Sequence, residues 1–241
     1  PNAVGVLPVC LGKATKLCNL LSEKDKTYTA TMLLGTETDT QDTTGQITNQ
    51  TPEEEVMKLS EEKVFDVIKS YIGEYDQIPP MFSAIKINGK KLYEYARNGE
   101  EGEIKERDIE IMMIQLISFD KSEIVFDVKC SKGTYIRSLC VDIAKKLGYP
   151  GHMSHLTRIV SGDFSLEKCY TLEDLQQDRY KLLSVDEALA SYPKIILKDP
   201  TVVYHGKMIK SDLTGQVAIC VDNKHVLAIY ESNGEGYLKN V

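Results

Sequence analysis

The segment GTYIRSLCVDIAKKLG, residues 133–148, carries the clearest structural signal in the chain. Ile136, Leu139, Cys140, Ile143, Ala144 and Leu147 recur at helical spacing and form one apolar stripe. Residues 134–147 are therefore predicted as a helix with one face on a core, stopped by Gly148. Arg137 does not fit that account. It lies off the stripe, in the first turn, where the positive end of the helix macrodipole disfavours a cation. An anionic partner, either a carboxylate from elsewhere in the fold or a phosphate, would explain it. The alternative is an exposed arginine tolerated at small cost.

Upstream, residues 108–119 and 123–130 pair as a hairpin across Asp120-Lys121-Ser122. Residues 25–34 read as a strand ended by Gly35, with Tyr28, Ala30, Met32 and Leu34 on one face. A polar loop follows, then a helix over 60–71 with Ser60 as N-cap and acids in its first turn. Residues 82–87 are predicted as a short strand turned by Asn88-Gly89, and 90–97 as a short helix capped by Asn98-Gly99. Nearer the N-terminus, Leu11, Ala14, Leu17, Cys18 and Leu21 predict a helix over 11–21. Beyond Gly148 come two short helical pieces, 172–176 and 185–190. At Ser191-Tyr192-Pro193 the texture changes to β-like runs at 202–204, 216–221 and 226–230. A small separate β domain of 191–241 is expected, behind a larger domain of 1–190.

The 241 residues suit one large domain, or one domain plus an appendage, and 42% hydrophobic with 27% charged residues is ordinary globular composition. No apolar run approaches the roughly 20 residues that span a bilayer. Six cysteines without a C-x-x-C pair argue against a disulfide framework and a structural zinc site, and for a reducing cytoplasm. The net charge of −7 argues against a nucleic-acid partner, but its distribution does not. Residues 50–76 carry a net −5, residues 83–99 a net +3 and residues 129–158 a net +5. One face is thus left free for a polyanion, unless these lysines are simply solvated surface.

Nucleotide-loop and serine-hydrolase motifs are absent. The run Asp39-Thr40-Gln41-Asp42-Thr43-Thr44-Gly45 lacks the ligands of a calcium loop and reads as a turn. His152 and His155 lack the companions of a metal site. Tyr28, as a strand aromatic on the apolar face, is either core filler or a plane on which a base stacks.

In chain order PNAVGVLPVCLGKATK, DKTYTA, LGTETDTQDTTGQI, IPPMFSAIKINGKKLYEYARNG, CSKGTYIRSL and GHMSHLTRI closely resemble the TruB family of bacterial tRNA pseudouridine synthases, from Pro1 to about Cys169. The β segment after residue 190 resembles, more weakly, the family's PUA-like RNA-binding domain. The resemblance implies an α+β fold: a mixed, largely antiparallel sheet flanked by helices, with a small β-barrel-like domain of PUA type at the C-terminus. It also implies isomerisation of the T-loop uridine of tRNA (position 55) to pseudouridine, with the target base flipped out and no metal or organic cofactor. The expected partner is the tRNA T-arm, with no membrane, no obligatory protein partner and a monomeric, cytoplasmic chain.

Residue by residue, Tyr28 matches the tyrosine that stacks on the flipped uracil, and Arg137 the arginine that pairs with the catalytic aspartate. Tyr135 and Leu156 match residues bounding the base pocket, Lys86 a lysine close to the site, and Asp42 a position in a loop near the RNA. The family's nucleophilic aspartate stands in a G-[TA]-L-D-P segment whose proline aligns with Pro1, so it is expected immediately ahead of Pro1. The 241 residues alone are accordingly expected to be inactive. A non-catalytic tRNA-binding or RNA-folding module is the alternative.

Overall fold

Residues 3–100, 104–222 and 225–241 are described in the computed structural model of the chain. Pro1, which the resemblance places beside the nucleophile, lies outside them. The chain divides into two compact units, which part between Cys169 and Tyr170.

The first unit begins with β1 (Val4–Gly5), a 3-10 turn over Gly12–Leu17 and α1 (Cys18–Ser22). Next come β2 (Lys26–Leu34), β3 (Thr36–Thr38), β4 (Ile47–Gln50), α2 (Glu53–Val56), α3 (Glu61–Lys69) and β5 (Gly73–Gln77). Then follow β6 (Lys86–Ile87), β7 (Lys90–Lys91), α4 (Leu92–Arg97), β8 (Arg107–Asp120) and β9 (Glu123–Cys130). The unit closes with α5 (Ile136–Leu147), β10 (Gly151–Ser161) and β11 (Phe164–Ser165).

Seven of these strands form one sheet in the order β1-β10-β2-β9-β8-β5, with β11 on β10. Only β1 and β10 pair in parallel, so the sheet is mixed and largely antiparallel. Strand alternation turns Ala30, Met32 and Leu34 of β2 and Ile124, Phe126 and Val128 of β9 to one side. There they meet Val64 and Ile68 of α3 and the predicted stripe of α5. Leu139, Ile143 and Leu147 of that stripe are fully buried, each worth about 1.5–3 kcal/mol. In β8, bulges after Ile111 and Leu116 change which residues face inward.

Several local expectations change in context. Residues 11–21 do not form one helix: a 3-10 turn runs into a five-residue α1, and only Leu20 and Leu21 of the proposed stripe region are buried. Among the described residues no element covers Leu11, which is 58% exposed, so the apolar spacing there has no core among them to face. The resemblance makes residues 4–9 the floor beneath the catalytic loop; they form the two-residue β1 and the buried Val6, with Leu7 and Val9 exposed. The polar loop after Gly35 contains the β3–β4 hairpin. Ser60 does cap α3, its hydroxyl accepting from Lys63 N. Residues 134 and 135 stay outside α5, because Tyr135 is extended and held on both backbone groups by a side chain of β5.

The second unit contains α6 (Leu172–Gln176), α7 (Val185–Ala188), β12 (Lys194–Ile196), α8 (Thr201–Tyr204), β13 (Ile209–Lys210), β14 (Gln216–Cys220), β15 (Val226–Ser232) and β16 (Tyr237–Asn240). Its five-stranded sheet, ordered β12-β14-β15-β16-β13, curls over Val203, Val217, Ile219, Tyr230 and Leu238. Residues 202–204, expected as β-like, are helical. Asp199 braces the start of that turn, accepting from the amide and hydroxyl of Thr201, and this local closure outweighs the β preference of two valines. Asp186 of α7 accepts from the amide of Val226, tying the helical segment before residue 190 to the sheet. No helix among the described residues is long and apolar enough to cross a membrane.

Candidate active site

Arg137 is the second residue of α5, and its side chain is only 15% exposed. Its guanidinium reaches backward to two loops. Nη1 donates to Thr40 O at 2.8 Å and to Asp42 Oδ2 at 3.1 Å, while Nη2 donates to Phe82 O at 2.8 Å. The arginine disfavoured by the helix dipole is thus balanced by a carboxylate, which the N-terminal end of a helix favours.

Asp42 is buried in the turn over residues 39–45. Its Oδ1 accepts from Thr40 Oγ1 at 2.8 Å, from Thr44 N at 3.0 Å and from the Thr44 hydroxyl. Burial pushes this carboxyl up. The Thr44 hydroxyl and amide, the Thr40 hydroxyl and Arg137 together outweigh it and hold the group below the ordinary value, so the site carries an ionised pair. Gly45 makes the turn possible: a Cβ there would lie 2.3 Å from Asp39 Oδ1 and 2.4 Å from Thr40 Oγ1. The turn docks on the sheet through Met153 N, which donates to Gln41 O at 3.1 Å.

Tyr28 lies in β2 between Val128 and Arg158 of the neighbouring strands and is partly buried against the core. Burial raises its hydroxyl pKa, and Cys130 adds to this, while the neighbouring Arg158 guanidinium works the other way. Leu156 of β10 pairs with Ala30, two residues along from the Tyr28–Arg158 pair, so Tyr28 and Leu156 share one face of the sheet. Tyr135 is the N-cap residue of α5, two positions before Arg137. Lys86 is exposed on the β6–β7 hairpin. Among the described residues no hydrogen bond or ion pair joins it to Arg137 or Asp42. The structure therefore links Arg137 with Asp42, places Tyr28 beside Leu156, and leaves Lys86 apart from the ion pair.

Three participants do not stand out in the sequence. Ser138 is buried, its hydroxyl 2.9 Å from Ile78 O and 3.2 Å from Gln41 Oε1. Gln77 grips the backbone of Tyr135, and Asp142 anchors a tyrosine next to it. Among the described residues no group of three His, Cys, Asp or Glu side chains is placed to hold a metal ion. His152 is buried, its Nδ1 2.8 Å from Thr36 O.

The molecule thus holds a buried arginine–aspartate pair whose turn docks on β10 of a mostly antiparallel sheet. The family model described as "TruB family pseudouridylate synthase (N terminal domain)" matches residues 1–136, and "tRNA pseudouridylate synthase B C-terminal domain" matches residues 137–193. The chain belongs to the TruB family of pseudouridylate synthases. It is 42% identical to tRNA pseudouridine synthase B of Bacillus velezensis, covering 95% of this chain and 80% of that one. It is 49% identical to the same-named protein of Alkaliphilus oremlandii, over 82% of this chain and 66% of that one. Among solved structures, one chain of a Cbf5-Nop10-Gar1 complex superposes with a TM-score of 0.70 at 27% identity, over 96% of this chain and 67% of that one. A chain from an H/ACA RNP bound to a substrate RNA containing 2'-deoxyuridine gives 0.67 at 25% identity, over 96% and 66%.

Proposed function

We propose that the protein isomerises the T-loop uridine of tRNA to pseudouridine, acting on the T-arm in the cytoplasm as a monomer. The bond from ribose C1′ to N1 breaks, the base turns, and C1′ bonds to C5. The C5 proton passes to solvent and N1 takes one up, so no net redox change occurs. The observation that carries this reading is the triply bonded Arg137. Its guanidinium is buried, oriented by Thr40, Asp42 and Phe82, and fixed at a helix start in a chain of this family. Preorganised charge of this kind stabilises an anionic reactant without rearranging.

In this proposal Tyr28 stacks on the flipped uracil, and Tyr135 and Leu156 bound its pocket. Asp42 orients Arg137, and Lys86 meets the RNA near the site. The carboxylate on which cleavage of the glycosidic bond depends is the aspartate expected ahead of Pro1, which Arg137 positions. Residues 191–241 act as a PUA-type RNA-binding domain and 1–190 as the catalytic domain.

Release of tritium from T-arm RNA carrying [5-³H]uridine tests the reading. A protein that extends through the upstream G-[TA]-L-D segment should release it, and the 241 residues alone should bind the RNA without release. No release by the extended protein would overturn the proposal, as would normal turnover by the 241 residues.

A further inference from the structure

Tyr135 enters α5 in an extended conformation, φ −99° and ψ 106°, without a side-chain cap. Something else must hold the residue that turns the chain into the helix and precedes Arg137 by two positions. That group is Gln77, the last residue of β5, which is 1% exposed. Its Oε1 accepts from Tyr135 N at 2.7 Å, and its Nε2 donates to Tyr135 O at 3.1 Å. The amide thus imitates a neighbouring strand, closing two bonds on one residue as a backbone partner would. Tyr135 O accepts in addition from Leu139 N, the first bond of the helix.

Gln77 is itself oriented. Its Nε2 also donates to the Tyr75 hydroxyl at 2.7 Å, and that hydroxyl donates to Asp142 Oδ2 at 3.2 Å. Asp142 belongs to α5, so the relay returns to the helix whose start it fixes. The next residue, Ile78, adds a second tie by accepting from the buried Ser138 hydroxyl. A side chain that holds both backbone groups of one residue sets the direction of that residue's own side chain. Here those directions belong to Tyr135, which walls the proposed base pocket, and to Arg137 beyond it.

We propose that Gln77, backed by Tyr75 and Asp142, is a positioning residue of the isomerase: it fixes Tyr135 and the first turn of α5 so that Arg137 meets the reacting groups in register. This inference rests on the function proposed above.

The test uses the full-length protein with its upstream aspartate, under single-turnover conditions on [5-³H]uridine T-arm RNA. Gln77→Leu removes all three bonds at once, and Gln77→Glu keeps the shape and the acceptor for Tyr135 N while losing the donor to Tyr135 O and to the Tyr75 hydroxyl. Both are expected to slow the single-turnover rate constant, Gln77→Leu by about 10–100-fold and Gln77→Glu by less. The reacting amplitude and the affinity for T-arm RNA should change less than about twofold. Should Gln77→Leu fail to fold, Gln77→Glu decides alone. A rate constant within about twofold of the parent, with only amplitude or melting temperature lost, would show a purely structural role and overturn the inference. Absence of release by the unsubstituted protein would instead refute the parent proposal, so the two failures are distinguishable.

Discussion

Asp42 faces the start of α5 and Asp142 lies within it; burial pushes each toward its neutral form, yet they settle on opposite sides of the ordinary carboxylate value. Asp42 packs at the first turn among the Thr44 hydroxyl and amide, the Thr40 hydroxyl and the Arg137 guanidinium, which together overcome burial. Asp142 receives one hydroxyl, from Tyr75, with help only from Lys145, and burial prevails. The same burial places Tyr71 beside it at about 12. Desolvation alone therefore does not decide the state of a carboxylate; the number and charge of the donors aimed at it do. The region gathered for a charge is the one holding Arg137.

Three substitutions would break or sharpen that contrast. The largest effect is expected from Arg137→Met, which leaves Asp42 without its countercharge and the carbonyls of Thr40 and Phe82 without their donor. A loss of about 3 kcal/mol at neutral pH is expected in urea unfolding. A loss below about 1 kcal/mol would mean that the threonines alone carry Asp42.

Asp42→Asn should cost less, about 2 kcal/mol at neutral pH. Because the folded carboxyl lies below its unfolded value, its contribution is complete above about pH 4 and is lost as pH falls through the folded value. The gap between parent and variant should therefore narrow below about pH 4. A gap that stays constant through acid unfolding measurements would contradict the ionised pair.

Asp142→Asn is the smallest and of opposite sign. A carboxyl raised in the folded state costs stability above about pH 4 and nothing well below it. Asparagine still accepts from Tyr75, so the variant should equal or exceed the parent by up to about 1 kcal/mol at neutral pH, converging with it in acid. Marked destabilisation would put Asp142 in the same class as Asp42.

Much of the first unit is legible in the residues themselves. The stripe of α5, the alternation of β2 and β9 and the Ser60 cap are short-range patterns, each visible within a few turns or pleats. The long β10 is not. Its Gly-His-Met-Ser-His-Leu-Thr-Arg run has no clean alternation, and it becomes a strand by pairing with β1 on one edge and β2 on the other. Residues 11–21 mislead in the reverse direction, because helical spacing promises burial only where something lies opposite. At the site, Arg137 announces itself by standing against the helix dipole, but its partner does not. The turn over residues 39–45 looks like any Thr- and Asp-rich turn until it docks against β10.

By itself, the sequence determined the family, the α+β class, the helix that carries Arg137 and the awkward placement of that arginine at the helix start. All of these follow from local periodicity, capping chemistry and ordered motifs. Only the tertiary structure decided that Asp42 is the anion bound to Arg137, that Tyr28 and Leu156 share a face, and that Gln77 grips Tyr135. Those pairs lie 58 to 128 positions apart, and the meeting of distant segments is fixed by sheet register and packing, which no short window of residues encodes.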